Sequence, residues 1–115
     1  MKPETSPDGT LLVEYGGHEM RMSHWVFPPR VTHVPTGEVL FDLWGAETSL
    51  WDGHARFPEP GIVELTLRHY PDGNETWRVR IDADARTYAF LAGAPEPVLA
   101  SRLRERLRPV APGSD

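Results

Sequence analysis

Residues 61–82 read GIVELTLRHYPDGNETWRVRID, and this stretch decides the fold. Val63, Leu65, Leu67 and His69 fall at every second position. Ile62, Glu64, Thr66, Arg68 and Tyr70 occupy the positions between them. After PDGN, Trp77, Val79 and Ile81 alternate in the same way with Thr76, Arg78, Arg80 and Asp82. A period of two marks a strand with one buried face. Two such runs about a Pro/Asp/Gly/Asn turn predict an antiparallel hairpin.

The same pattern extends outward. RTYAFL places Tyr88 and Phe90 on a common face. GEVLFDLW sets Val39, Phe41 and Leu43 against Leu40, Asp42 and Trp44. In EMRMSHWVF, Met20, Met22, His24 and Val26 oppose Arg21, Ser23, Trp25 and Phe27. TLLVEY, RVTHV and HARF are weaker strand candidates, and YGGHE, FPPR, VPTGE, FPEPG and IDADAR supply turns. The expectation is a mainly β domain, an antiparallel up-and-down meander of about eight short strands. It would close into a small barrel or form a strongly curved sheet. After Gly93, APEPVLASRLRERLR carries prolines and Glu96 at its start, a Leu99, Leu103, Leu107 stripe, and arginines before Pro109. This predicts one C-terminal helix over 95–108, its leucines on the sheet. A single domain is expected over 10–108, with disordered tails at 1–9 and 109–115. This strand pattern is loosely similar to that of the calycin group, the lipocalins and fatty-acid-binding proteins. The lipocalin Gly-x-Trp signature is absent from the first strand, so the resemblance is one of strand pattern alone. It implies a ligand held in a β-cavity.

Composition narrows the classes. The chain has 115 residues, no cysteine and a net charge of −5. Disulfides, thiolate metal sites and cysteine catalysis are excluded. The acidic balance argues against nucleic acid as a partner. Residues 1–93 carry 8 basic against 14 acidic side chains, while 94–115 carry 4 basic against 3 acidic. MKPETSPDGT lacks the apolar core of a signal peptide, and no apolar run nears the roughly 20 residues that span a bilayer. The expectation is a cytoplasmic protein without a membrane partner.

No motif announces chemistry. Ser23, Ser49 and Ser101 lie outside any G-x-S-x-G elbow, and no H-E-x-x-H or phosphate-cradling glycine loop occurs. A metal site built from His24, His69 and Asp42 is conceivable, but nothing singles it out. The reading assigns no catalytic residue, metal or cofactor. His24 and His69 each continue an otherwise apolar face, as core imidazoles or as polar groups at a pocket. Trp25 and Trp44 fall opposite the clearer apolar stripes. The C-terminal helix is expected to cover them; uncovered, they would mark a binding surface or a dimer interface.

The segment FDLWGAETSLWDGHARF (41–57) links these features. Strand periodicity breaks at Gly45, and Asp52–Gly53 resembles a tight turn. The expectation is a long connection anchored by Leu50 and Trp51, acting as plug or lid at one end of a barrel. A pocket beside it would be lined by His24, Trp51, His54 and His69. The first functional reading is a non-enzymatic binder of a small apolar or aromatic molecule. The alternative is a protein-interaction module of immunity or adaptor type, or a homodimer. An enzyme using His/carboxylate acid–base chemistry comes third. If histidines anchor a ligand, His24→Ala and His69→Ala weaken its binding, measured by calorimetric titration, while the thermal midpoint holds.

Overall fold

The computed structural model describes residues 2–19, 25–45, 51–70 and 75–110. The hairpin at its centre pairs β8 (Ile62–His69) with β9 (Trp77–Asp82), in register from Ile62 opposite Asp82 to Leu67 opposite Trp77. β7 (Trp51–Arg56) lies on the other side of β8, and β10 (Thr87–Ala92) continues beyond β9. All three contacts are antiparallel, as consecutive strands joined by short turns must be. β11 (Arg108–Pro109) adds a short parallel edge to β10.

A second sheet comes from the N-terminal half, in the order β1 (Glu4–Thr5), β2 (Leu11–Tyr15), β5 (Pro29–His33), β6 (Glu38–Asp42). β3 (His18–Glu19) and β4 (Trp25–Val26) form a separate two-stranded ribbon. This ribbon is an excursion between β2 and β5, so β2 pairs with β5 instead of with its sequence neighbour. The architecture is mainly β and antiparallel, but it departs from a single meander. Among the described residues the two sheets do not join into a closed barrel.

The sheets and the helix share one core. Leu11, Val13, Val31 and Phe41 from the first sheet, and Val63, Leu65, Leu67, Val79 and Ile81 from the second, are buried in a single cluster with Leu99, Leu103 and Leu107. The helix α1 (Pro97–Arg104) lies against β6 and β11. Pro97 opens it, and the Glu96 carboxylate accepts from the amides of Val98 and Leu99 at 3.1 and 2.9 Å. This satisfies amide groups that helix geometry leaves unpaired. The helix is shorter than the expected 95–108, because Arg108 and Val110 give their amides to Arg86 and Tyr88 carbonyls of the β10 edge. Pro109 has no amide to donate, and an edge strand tolerates that.

Two further expectations change. Residues 4–5 lie within the segment read as a tail, yet they pair with β2, and the Tyr15 hydroxyl donates to Glu4 Oε1 at 2.9 Å. Asp52–Gly53 is no turn: both residues lie inside β7, opposite Arg68 and Leu67. Gly53 is there for space. A Cβ on it would stand 2.9 Å from Pro29 Cγ and 3.0 Å from Leu67 Cδ2. Its amide donates to the Phe27 carbonyl at 3.3 Å, and the Phe27 amide donates to Asp52 Oδ1 at 2.9 Å. The two sheets therefore meet where β7 presses on the start of β5. Gly53→Ala should overpack this join and cost about 1–3 kcal/mol, read as a lower urea midpoint with an unchanged slope.

Candidate functional site

The sequence-derived site residues separate onto two faces. Residues 51 and 54 of one strand point to opposite sides of its sheet, because side chains alternate. Trp51 faces inward and is 4% exposed. Its ring meets the His69 imidazole edge-on, with centroids 4.9 Å apart, and the Trp77 indole at 5.2 Å. Trp77 Nε1 donates to the Ala94 carbonyl at 2.7 Å. These rings pack together at one end of the inner face, in the edge-to-face geometry that aromatic quadrupoles favour. The structure thus brings Trp51 and His69 together. His54 stands exposed on the outer face, and His24 lies outside the described residues.

The outer face of β7–β9 is polar and charged. Glu64 is buried beneath three guanidinium groups: Arg56 at 2.6 Å, Arg78 at 3.2 Å and Arg80 at 3.3 Å. Arg80 also reaches Glu59 at 2.5 Å. Arginine side chains, more than apolar core, cover this carboxylate. The Arg56 hydrogen bond, aided by the charges of Arg56 and Arg78, holds the Glu64 carboxyl below its ordinary 4.5 despite desolvation. Beside this cluster, Asp52, His54, Thr66, Arg68 and Thr76 line a shallow depression of about 110 Å³.

A third surface is aromatic. Trp25 is 52% exposed and stacks nearly parallel on Phe27, with centroids 6.2 Å apart and planes at 12°. Trp44 is 37% exposed. Its Nε1 donates to the Pro28 carbonyl at 2.8 Å, its amide donates to Asp42 Oδ1 at 2.8 Å, and Arg30 Cζ lies 3.7 Å over its ring. Arg30 is itself paired with Glu14 at 3.2 Å. Gly16 and Gly17 run between the two indoles: a Cβ on Gly16 would lie 3.4 Å from Trp44, and one on Gly17 3.5 Å from Trp25. Pro28 is buried between them, and Gly16 and Gly17 lie beside the two indoles, so Trp44 and Trp25 flank one stretch of backbone. The helix expected to cover these tryptophans lies against β6 and β11 instead.

Of the residues lining the polar depression, the sequence-derived site contains His54 alone. The depression's signal was the even-numbered face of β8, where Thr66 and Arg68 share a side with Glu64. Among the described residues, no three His, Asp or Glu side chains converge in an arrangement that could hold a metal ion. Asp42, once a candidate ligand, is engaged by the Trp44 amide. No protein-family model, curated protein or solved structure matches this chain.

The lowered Glu64 carboxyl makes stability depend on acid. A group held below its unfolded value contributes fully above that value, and its contribution is lost as pH falls through the folded one. Urea midpoints measured from about pH 5 down to about pH 3 should therefore fall in the native chain. They should fall less steeply in Glu64→Gln.

Proposed function

We infer that this chain is a protein-interaction module whose contact surface is the Trp25–Phe27–Trp44 platform. The observation that carries this reading is the exposure of two tryptophans, each held by its own contacts and both flanking Gly16 and Gly17. Exposed apolar patches rimmed by polar groups mark association surfaces, and tryptophan is prominent among residues that dominate binding energy. The platform is already fixed before any partner arrives. Arg30, the Pro28 carbonyl and Asp42 hold Trp44, and Phe27 supports Trp25. A rigid contact surface loses little side-chain entropy on binding. With a net charge of −5, the chain favours a polypeptide with apolar anchors and basic flanks.

The reading of a small apolar or aromatic ligand in a calycin-like β-cavity draws support from the Trp51, His69 and Trp77 cluster, which could contact an aromatic molecule. It is the weaker reading, because Val63, Leu65, Leu67, Val79 and Ile81 on that face are fully buried against their neighbours. A stoichiometric small molecule retained in native mass spectrometry would favour it.

Selection of displayed peptides against the native chain tests the interaction reading. Enriched sequences should carry apolar anchors with Lys or Arg flanks. The Trp25→Ala, Trp44→Ala double variant should bind them about 30-fold or more weakly, because hot-spot truncation costs 2 kcal/mol or more. It should still unfold in one cooperative transition, at a midpoint lowered by the loss of the Trp44 contacts but above the binding temperature. Failure to enrich any sequence, or equal binding by the double variant, would overturn the assignment.

A further inference from the structure

We propose that the depression between Asp52, His54, Thr66, Arg68 and Thr76 binds a small oxyanion, a carboxylate or phosphate group, with Arg68 as its anchor. This site is separate from the aromatic platform and has a different chemistry.

The β7–β8 register places Asp52 directly opposite Arg68 and His54 directly opposite Thr66. A cross-strand ion pair between Asp52 and Arg68 is the ordinary outcome of that placement. It does not form. Asp52 turns one oxygen to the Phe27 amide at the join between the sheets. Arg68 makes no ion pair or hydrogen bond among the described residues, and neither does His54. The contrast with the rest of the face is sharp, since Arg56, Arg78 and Arg80 are all held by Glu64. Thr76 immediately precedes β9, whose Trp77 pairs with Leu67. Its hydroxyl and that of Thr66 complete the lining.

The groups that face the depression are thus a guanidinium, an imidazole, two hydroxyls and the Asp52 carboxylate, whose Oδ1 is turned to the Phe27 amide, so an anion must be held from the Arg68 side. A planar guanidinium fork matches the two oxygens of a carboxylate or phosphate, and the imidazole and hydroxyls offer further donors. Size limits the ligand. About 110 Å³ is the space of about three or four waters at ~30 Å³ each. That is room enough for an oxyanionic group. The oxyanion has two possible sources, a free ion or the carboxylate of a polypeptide docked nearby.

Titration of the isotopically labelled full chain with acetate, with inorganic phosphate and with chloride, at constant ionic strength and followed by amide NMR, tests this. Acetate or phosphate should shift the His54, Thr66, Arg68 and Thr76 amides saturably, while chloride leaves them in place. Arg68→Gln should weaken the response about tenfold or more, as loss of a charge-assisted bond does. Arg106→Gln, in the exposed turn after α1, should not. Saturation by acetate points to a carboxylate, and saturation by phosphate alone to a phosphate group. Shifts that never saturate, that chloride reproduces, or that persist in Arg68→Gln would overturn the proposal.

Discussion

The join at Gly53 holds this molecule together. Both sheets carry apolar faces that must be buried, yet neither closes on itself. They share one core with the helix, and where they meet β7 approaches the start of β5 at van der Waals distance, so that any side chain at residue 53 would push Pro29 or Leu67 aside. The approach is also fixed by polar contacts. The Gly53 amide reaches the Phe27 carbonyl, and the Phe27 amide reaches Asp52. Backbone groups at a sheet edge need such partners, since an unpaired buried amide costs about as much as a lost hydrogen bond.

The same join sets the candidate surfaces. Phe27 supports Trp25, so the platform begins at the residue that ties the sheets. Asp52 serves the join and so leaves Arg68 without its cross-strand carboxylate. A structural requirement at one backbone amide thereby frees a cation two strands into the second sheet's outer face. Glu64 performs the opposite service a few residues away, gathering three arginines that would otherwise repel one another. The polar face is thus divided into an ion-paired half around Glu64 and a half around Arg68 in which no ion pair forms among the described residues.

Much of the architecture was legible in the chain. The 61–82 hairpin, its inward residues and the leucine stripe of the helix follow from periodicity alone, because burial on one face leaves a regular imprint. Asp52–Gly53 carries the local signature of a turn yet lies inside a strand, for a physical reason. Asp-Gly is a strong local turn signal, but here tertiary crowding calls for the glycine, and pattern reading has no access to tertiary distances. The ribbon of β3 and β4 and the parallel strand β11 are two residues long at each strand, too short to show a period. The tryptophan pair was recognised as a possible surface, but its exposure depended on where the helix lies. The site grouping failed at one point: Trp51 and His54 seemed neighbours in a loop, and a strand sends them to opposite faces.

The most direct test is an NMR measurement of through-space contacts at the join. Strong cross-peaks between the Gly53 α-protons and the Pro29 ring, with a slowly exchanging Phe27 amide, are expected if β7 and β5 meet as described. Absence of those cross-peaks with rapid exchange at Phe27 would separate the sheets. It would remove the common basis of both the aromatic platform and the Arg68 depression.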